Sequence, residues 1–272
     1  MRAQNLTISI PYKGCDKRPS CPYCVSAITG GVESNVGLMH RNMMKVKTLA
    51  TAAQVSSVLL TGKGEPFLNF YEVLNFSYFF RDFPLEIQTN GIWLGKHLGK
   101  EFEELYQNGM NVIAISVDNP ALQGDSVKAI SEAAHKLGMV VRVTFNVTNA
   151  LGRFGTSDGL LGLCKKWSVD QMTLRNIVSP NNVKETKQTK WIEKNIDPEK
   201  YENLKNSLSG GAWPLIRTLQ FGTPVYNRDG IAVSFSDYCI QDGNNNEDIR
   251  SLIYLEDGHM YTSWNSKASI LF

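Results

Sequence analysis

Three cysteines crowd one short stretch, GCDKRPSCPYC at residues 14–24, where Cys15, Cys21 and Cys24 fall within ten positions and Tyr23 directly precedes the last of them. The chain has five cysteines in all, an odd number that suits metal binding or reactivity better than a disulfide framework. A closed structural zinc site takes four protein ligands, and a closed iron–sulfur cluster takes four cysteines. Three thiols from one loop therefore leave one metal position open, and an open position is where an outside ligand binds and reacts. The remaining cysteines offer no fourth ligand. Cys164 stands in the apolar stretch GLLGLCKKW and Cys239 lies far along the chain, so each reads as a small buried hydrophobe. Zinc stays open as a second metal. Catalytic zinc favours histidine and carboxylate ligands, however, and His40, His97, His135 and His259 form no metal-spaced pair.

A loop of this kind needs a scaffold, and the chain supplies one as short apolar runs alternating with amphipathic stretches, the pattern of β/α units. LTISIP (6–11) leads straight into the cysteine loop. SSVLLTGKGEP (56–66), PLEIQTNG (84–91), NVIAISVDN (111–119), MVVRVTFNVTN (139–149) and VDQMTLRNIVS (169–179) complete six expected strands. Helical periodicity is expected over 48–57, 70–81, 96–108, 125–137 and 157–167. Six parallel strands with outer helices make an open barrel or a doubly wound sheet. No G-x-G-x-x-G opens a helix after the first strand, which disfavours the dinucleotide-binding form of the latter. After about residue 180 the pattern changes. A polar, charged stretch precedes a helix expected from Pro198, then GIAVSFSDYC reads as a strand and IRSLIYLEDGHMYTSW as a strand plus a hairpin around Asp257 and Gly258. The expected organisation is a core over 1–180 and an extension over 181–272 that caps or flanks it.

Composition sets the wider bounds. With 272 residues, 42% of them hydrophobic, the chain can bury a large core, and 28 basic against 26 acidic residues leave no broad footprint for nucleic acid or an anionic membrane. The start lacks the apolar core of a signal peptide and no run of about eighteen apolar residues spans a bilayer, so a cytoplasmic protein is expected.

Taken with TGKGEP at 61–66, the cysteine loop resembles the fingerprint of the radical SAM superfamily: C-x3-C-x2-C after the first barrel strand, with an aromatic residue before the third cysteine. The first gap here is longer, giving C-x5-C-x2-C. TGKGEP is similar to the family's GGEP turn, QTNG to its third strand and ISVD to its fourth. Arg142 in VVRVTFNV stands where relatives often place a cation on the fifth strand. The resemblance implies a partial, open (β/α)6 TIM-like barrel with a C-terminal extension. It implies one [4Fe–4S] cluster on Cys15, Cys21 and Cys24, with S-adenosylmethionine held by Tyr23, Gly62, Lys63, Gly64, Glu65, Thr89, Asn90, Ser116 and Arg142. Glycine in the turn would let main chain approach the ligand without an intervening Cβ. Electrons would come from a low-potential donor such as flavodoxin or ferredoxin, and a 5′-deoxyadenosyl radical would take hydrogen from the substrate. The tail is expected over or beside the mouth, excluding water. Arg175, His259, Tyr261 and Trp264 are candidates for touching the substrate, which is expected to be a small polar or nucleotide-like metabolite. Activation of a glycyl-radical protein is the alternative, and an iron–sulfur or zinc module without SAM chemistry is another.

Overall fold

The computed structural model describes residues 2–18, 20–180, 183–211, 213–220, 222–237, 248–264 and 266–272; Cys239 lies outside them. All six expected core strands form: β1 (Arg2–Ile10), β2 (Ser57–Gly62), β3 (Leu85–Thr89), β4 (Met110–Val117), β5 (Val140–Asn146) and β6 (Gln171–Arg175). They pair in chain order, every pair parallel. Parallel neighbours need crossover connections, and helices supply them. α1 (Val25–Thr29) follows the cysteine loop at once, and α2 (Val36–Ala52) then leads to β2. α3 (Phe70–Phe80), α4 (Lys100–Gln107), α5 (Pro120–Lys136) and α6 (Ser157–Lys166) join the later strands.

The helix expected over 48–57 is instead α2, which starts twelve residues earlier. Its start is set by Asn35, whose side-chain oxygen accepts the Leu38 N–H at 3.0 Å, and its inner face by buried Met39, Met43, Val46 and Ala50. It stops at Ala52, just before Gln54 takes a left-handed φ of 55°. α5 likewise begins earlier than expected, at Pro120, because Asn119 caps it and proline suits the first helical position.

Beyond residue 180 the chain forms α7 (Lys187–Asn195), α8 (Pro198–Ser209), β7 (Leu215–Thr218), β8 (Pro224–Arg228), β9 (Ile231–Ser236), β10 (Asp248–Tyr254) and β11 (Met260–Tyr261). α7 has no counterpart in the sequence reading; a reciprocal cap between Thr186 and Thr189 starts it. β9 joins β6 in parallel and β10 joins β1 in parallel, so the tail adds a strand to each side of the core. The result is a mixed α/β fold around one sheet of order β11-β10-β1-β2-β3-β4-β5-β6-β9-β8-β7, wider than the six strands expected. No helix among the described residues is long and apolar enough to cross a membrane.

The two faces of this sheet differ. Ile8, Leu60, Ile87, Ile113 and Val141 lie side by side across five strands, each with 0% exposure, and pack with the helices into one core. Each such side chain contributes about 1.5–3 kcal/mol by leaving water. The alternate positions carry polar groups instead: Ser116, Thr144, Thr173 and Ser234 form a neighbouring row, with Thr173 and Ser234 hydroxyls 2.9 Å apart. Parallel strands covered by helices on both faces read as continuous apolar runs. Here one face is kept polar, and that is the face with chemistry to offer.

Candidate functional site

Ligands of parallel α/β sheets gather at the carboxyl ends of the strands. The cysteine loop leaves the carboxyl end of β1 there. Cys24 stands directly before α1, and its N–H donates to the Cys21 carbonyl at 3.1 Å. Cys15, Cys21 and Cys24 are half-buried free thiols, and burial pushes the Cys15 thiol above its ordinary pKa. Among the described residues no three His, Cys, Asp or Glu side chains are gathered closely enough to hold an ion, so the thiols share a loop without closing on a common point. Cys164 is elsewhere, sealed in the core on α6, where burial raises its pKa to about 12.

The turn after β2 lies directly on this loop. Glu65 N–H donates to the Gly14 carbonyl at 2.9 Å, and a Cβ on Gly64 would stand 2.0 Å from the same oxygen. Glu65 itself, 4% exposed, staples three segments. Its carboxylate accepts the Thr89 hydroxyl at 2.7 Å, the Asn90 N–H at 2.8 Å and the Phe67 N–H at 3.2 Å. Asn90 in turn donates to Asp16 at 2.8 Å and stands 3.8 Å from the Cys15 sulfur. Cys15, Glu65, Thr89 and Asn90 thus converge.

Burial outweighs those three hydrogen bonds and raises the Glu65 pKa from 4.5 to about 7. Between these values the folded chain keeps a proton that the unfolded chain releases, so this group favours folding fully only below pH 4.5. That stability is lost as pH rises through 7, in total on the order of 3 kcal/mol. Glu65→Gln stays neutral throughout, at a constant cost for facing its amide to the Asn90 N–H. Thermal melts from pH 5 to 8 should therefore show wild type losing ground relative to the variant as pH rises. Parallel curves would mean that Glu65 stays ionised over the whole range.

A second hub escaped the sequence reading. Asp118, at the end of β4 and 9% exposed, accepts the Tyr23 hydroxyl and the Asn146 amide, the latter at 2.6 Å, pairs with Lys17, and stands 3.8 Å from the Cys21 sulfur. It ties the far side of the cysteine loop to β4 and β5. Tyr23 also meets the ring of Trp191 on α7 at 5.6 Å. Two cavities flank these groups. One of about 190 Å³ lies between the loop, the segment after β5 and α7, with Cys21, Tyr23, Asp118, Ala150 and Trp191 in its wall. Another of about 250 Å³ lies between the loop after β3 and α5, next to Asn90 and Gln123.

The other candidates are more dispersed. Lys63 donates to Thr29 on α1 at 2.7 Å and lies 5.8 Å from the Trp264 ring, its pKa lowered by burial against the opposing charge of Glu256. Ser116 is half-buried on the polar face beside Thr144. Arg142 is ion-paired with Glu86 of β3, and burial, then the charge of Arg175, lowers its pKa to about 10, so it remains a cation at neutral pH. His259 and Tyr261 sit on the hairpin joining β10 to β11. The Tyr261 hydroxyl donates to Asp257 at 2.7 Å, and His259 Nδ1 is buried without a partner. The same hairpin supplies Glu256, 1% exposed, which accepts the Tyr12 N–H at 2.8 Å and the Ser9 hydroxyl at 3.2 Å and so grips the start of the cysteine loop.

No protein-family model matches the sequence, and no curated protein does. Solved structures share its fold. SuiB of Streptococcus suis bound to precursor peptide SuiA superposes with a TM-score of 0.61 at 15% identity, covering 96% of this chain and 59% of SuiB. SuiB bound to S-adenosylmethionine gives 0.60 at 14% identity over 97% and 60%, and SuiB alone 0.58 at 14% over the same shares. The chain spans about three fifths of SuiB's length, and identity this low is a likeness of fold.

Proposed function

We propose that this chain is a radical SAM enzyme. The observation that carries the reading is the junction at the carboxyl end of β1, where a loop of three free thiols is fastened to the Gly62–Glu65 turn and to the Thr89–Asn90 end of β3. The fold likeness to a protein solved with S-adenosylmethionine supports it. The donor set fits an iron–sulfur cluster: three soft thiols, all free, half-buried on one loop and backed by polar side chains. Cys15, Cys21 and Cys24 would hold it. Bound together, the cluster and S-adenosylmethionine supply an organic radical by one-electron reductive cleavage, with the electron from a low-potential donor such as flavodoxin or ferredoxin.

The chain's own residues position and shield. Glu65 and Asn90 fix the turn and the end of β3 against Cys15, while Asp118 and Tyr23 fix the loop near Cys21. Trp191 of α7 and the Glu256 hairpin close on the loop from two sides, so residues 181–272 flank the 1–180 core and help exclude water from the reacting centre. We read the parallel strands as an incomplete barrel whose polar face receives the substrate, in a chain working in the reducing cytoplasm where such thiols persist.

For the substrate we favour a polypeptide. SuiB is solved with a precursor peptide, and nothing supports the small metabolite expected from sequence.

Anaerobic reconstitution tests the reading. The wild-type chain should bind iron and sulfide and, given S-adenosylmethionine and a reductant, form 5′-deoxyadenosine. Alanine at Cys15, Cys21 or Cys24 should lower iron content at least about tenfold, whereas Cys164→Ala should retain it, since that thiol is a core hydrophobe. Loss of iron in Cys164→Ala, or wild type that binds only zinc, would overturn it.

A further inference from the structure

Two polar atoms beside the cysteine loop are buried with nothing to bind. Asn146, 6% exposed at the end of β5, gives its amide N–H to Asp118, but its Oδ1 has no partner. Arg175, at the end of β6, has its Nε sealed from water and likewise unpartnered. Asn146 and Arg175 are register partners in the β5–β6 ladder, so they stand side by side on the polar face without bonding each other. A buried donor or acceptor left unsatisfied is destabilising, and folded proteins keep few of them.

We propose that Asn146 and Arg175 form a subsite for the backbone N–H and C=O of one substrate residue, with the cavity of about 190 Å³ lined by Asp118 taking the side chain of that residue. The proposal rests on the polypeptide reading above and goes beyond it by placing the chain. One residue of an extended chain supplies both missing partners from one side: its carbonyl oxygen accepts from Arg175 Nε, and its own N–H donates to Asn146 Oδ1. A carboxylate would satisfy Arg175 but would set lone pairs against Asn146 Oδ1 and, next to it, the Asp118 carboxylate. The nearby cation Arg142 is taken up by Glu86, and Lys17 by Asp118, which leaves Arg175 without a carboxylate partner among the described residues. Asp118 links the amide pair to the cavity, because it both binds Asn146 and lines that space. The cavity walls are largely apolar, with Tyr23 and Trp191 as rings, and the volume holds one aromatic or aliphatic side chain. An amide beside an apolar side chain is one residue of a polypeptide.

The test uses three small probes on the full chain: N-acetylphenylalanine N-methylamide, its ester analogue O-acetyl-3-phenyllactic acid N-methylamide, in which oxygen replaces the residue's N–H, and N-acetylglycine N-methylamide, which lacks the side chain. Binding is read from the indole N–H resonance of Trp191, assigned with Trp191→Phe. The first probe should bind roughly three- to tenfold more tightly than the ester, the range expected for one amide hydrogen bond, and should also surpass the glycine probe. In Asn146→Leu the advantage of amide over ester should vanish, and Arg175→Met should weaken both probes alike. Equal binding of amide and ester to wild type overturns the subsite, as does an undiminished advantage in Asn146→Leu or an unchanged affinity for both probes in Arg175→Met. Should a variant fail to fold, the wild-type comparison decides by itself. Wild type that discriminates the probes yet forms no 5′-deoxyadenosine sinks the radical reading and leaves the amide subsite standing. Wild type that forms it without discriminating the probes does the reverse.

Discussion

A chain ending at Ser209 is expected not to fold. The tail strands close both sides of the core sheet, β9 along β6 from Gln171 to Arg175 and β10 along β1 from Arg2 to Ile8. Their loss strips Val233, Phe235, Leu252, Tyr254 and Met260 from the core, all 5% exposed or less, together with the hydrogen bond from the Tyr254 hydroxyl to the Met39 carbonyl at 2.7 Å. At about 1.5–3 kcal/mol each, five such side chains amount to on the order of 10 kcal/mol. A domain's whole net stability is about 5–15 kcal/mol. The two uncovered strand edges would also invite aggregation. The loss of Glu256 adds a local effect, because it frees the Tyr12 N–H and Ser9 at the base of the cysteine loop. Circular dichroism and size-exclusion chromatography of the truncated chain check this. A soluble monomer with a native-like spectrum that still takes up iron would show that the core stands alone and the tail serves the substrate only.

That outcome bears on what could be read from sequence. The six core strands were legible because each is a short apolar, largely β-branched run of five to nine positions that ends in turn residues; the ladder then follows in chain order. The strand character of Ile231–Ser236 and the hairpin after Tyr254 were legible in the same way. Which edges they would join was not, since pairing between β1 and β10 is set by contacts more than 240 residues apart. α7 was hidden for a different reason. Lys187–Asn195 is mostly polar and buries only Thr189 and Ile192, so its periodicity is faint, although Thr186 and Thr189 announce its start.

The site divides along the same line. Cys15, Glu65, Thr89 and Asn90 are all end-of-strand residues in recognisable turns, and the structure brings them within hydrogen-bonding reach of one another. Asp118 was one step from discovery, two residues after Ser116 in ISVDN. Its importance comes from Tyr23, Lys17 and Asn146, which reach it from two other segments. Glu256 and Trp191 are no different in type from dozens of acidic and aromatic residues, and only the packing of the tail on the loop marks them.

Valine at position 64 is expected to disable the cysteine loop as well as whatever binds beside it. Gly64 does not take a left-handed backbone, so its conformation makes no demand for glycine. The demand is one of space: a Cβ would lie 2.0 Å from the Gly14 carbonyl oxygen, 2.8 Å from its carbon and 2.7 Å from the Tyr12 ring. Two of these atoms are main chain and have no rotamer to escape into. The loop must therefore shift, breaking the hydrogen bond from Glu65 N–H to the Gly14 carbonyl and pulling Cys15 away from Asn90. Overpacking of this kind costs about 3 kcal/mol, the upper end of its usual range, and lowers Tm by on the order of 5–10 °C in a chain of this length. Iron content after reconstitution should fall with it. Gly62 provides the contrast, since the nearest atom to its Cβ is the Ile10 carbonyl at an ordinary 3.5 Å. Gly62→Ala should melt like wild type and take up iron like wild type. If the turn's main chain also lies against S-adenosylmethionine, Gly62→Ala should weaken binding of that ligand alone, measured by equilibrium dialysis. A Gly64→Val protein with full iron content and an unchanged Tm would show that Gly14 and Tyr12 yield without cost, and the glycine would then be there for the ligand and not for the loop.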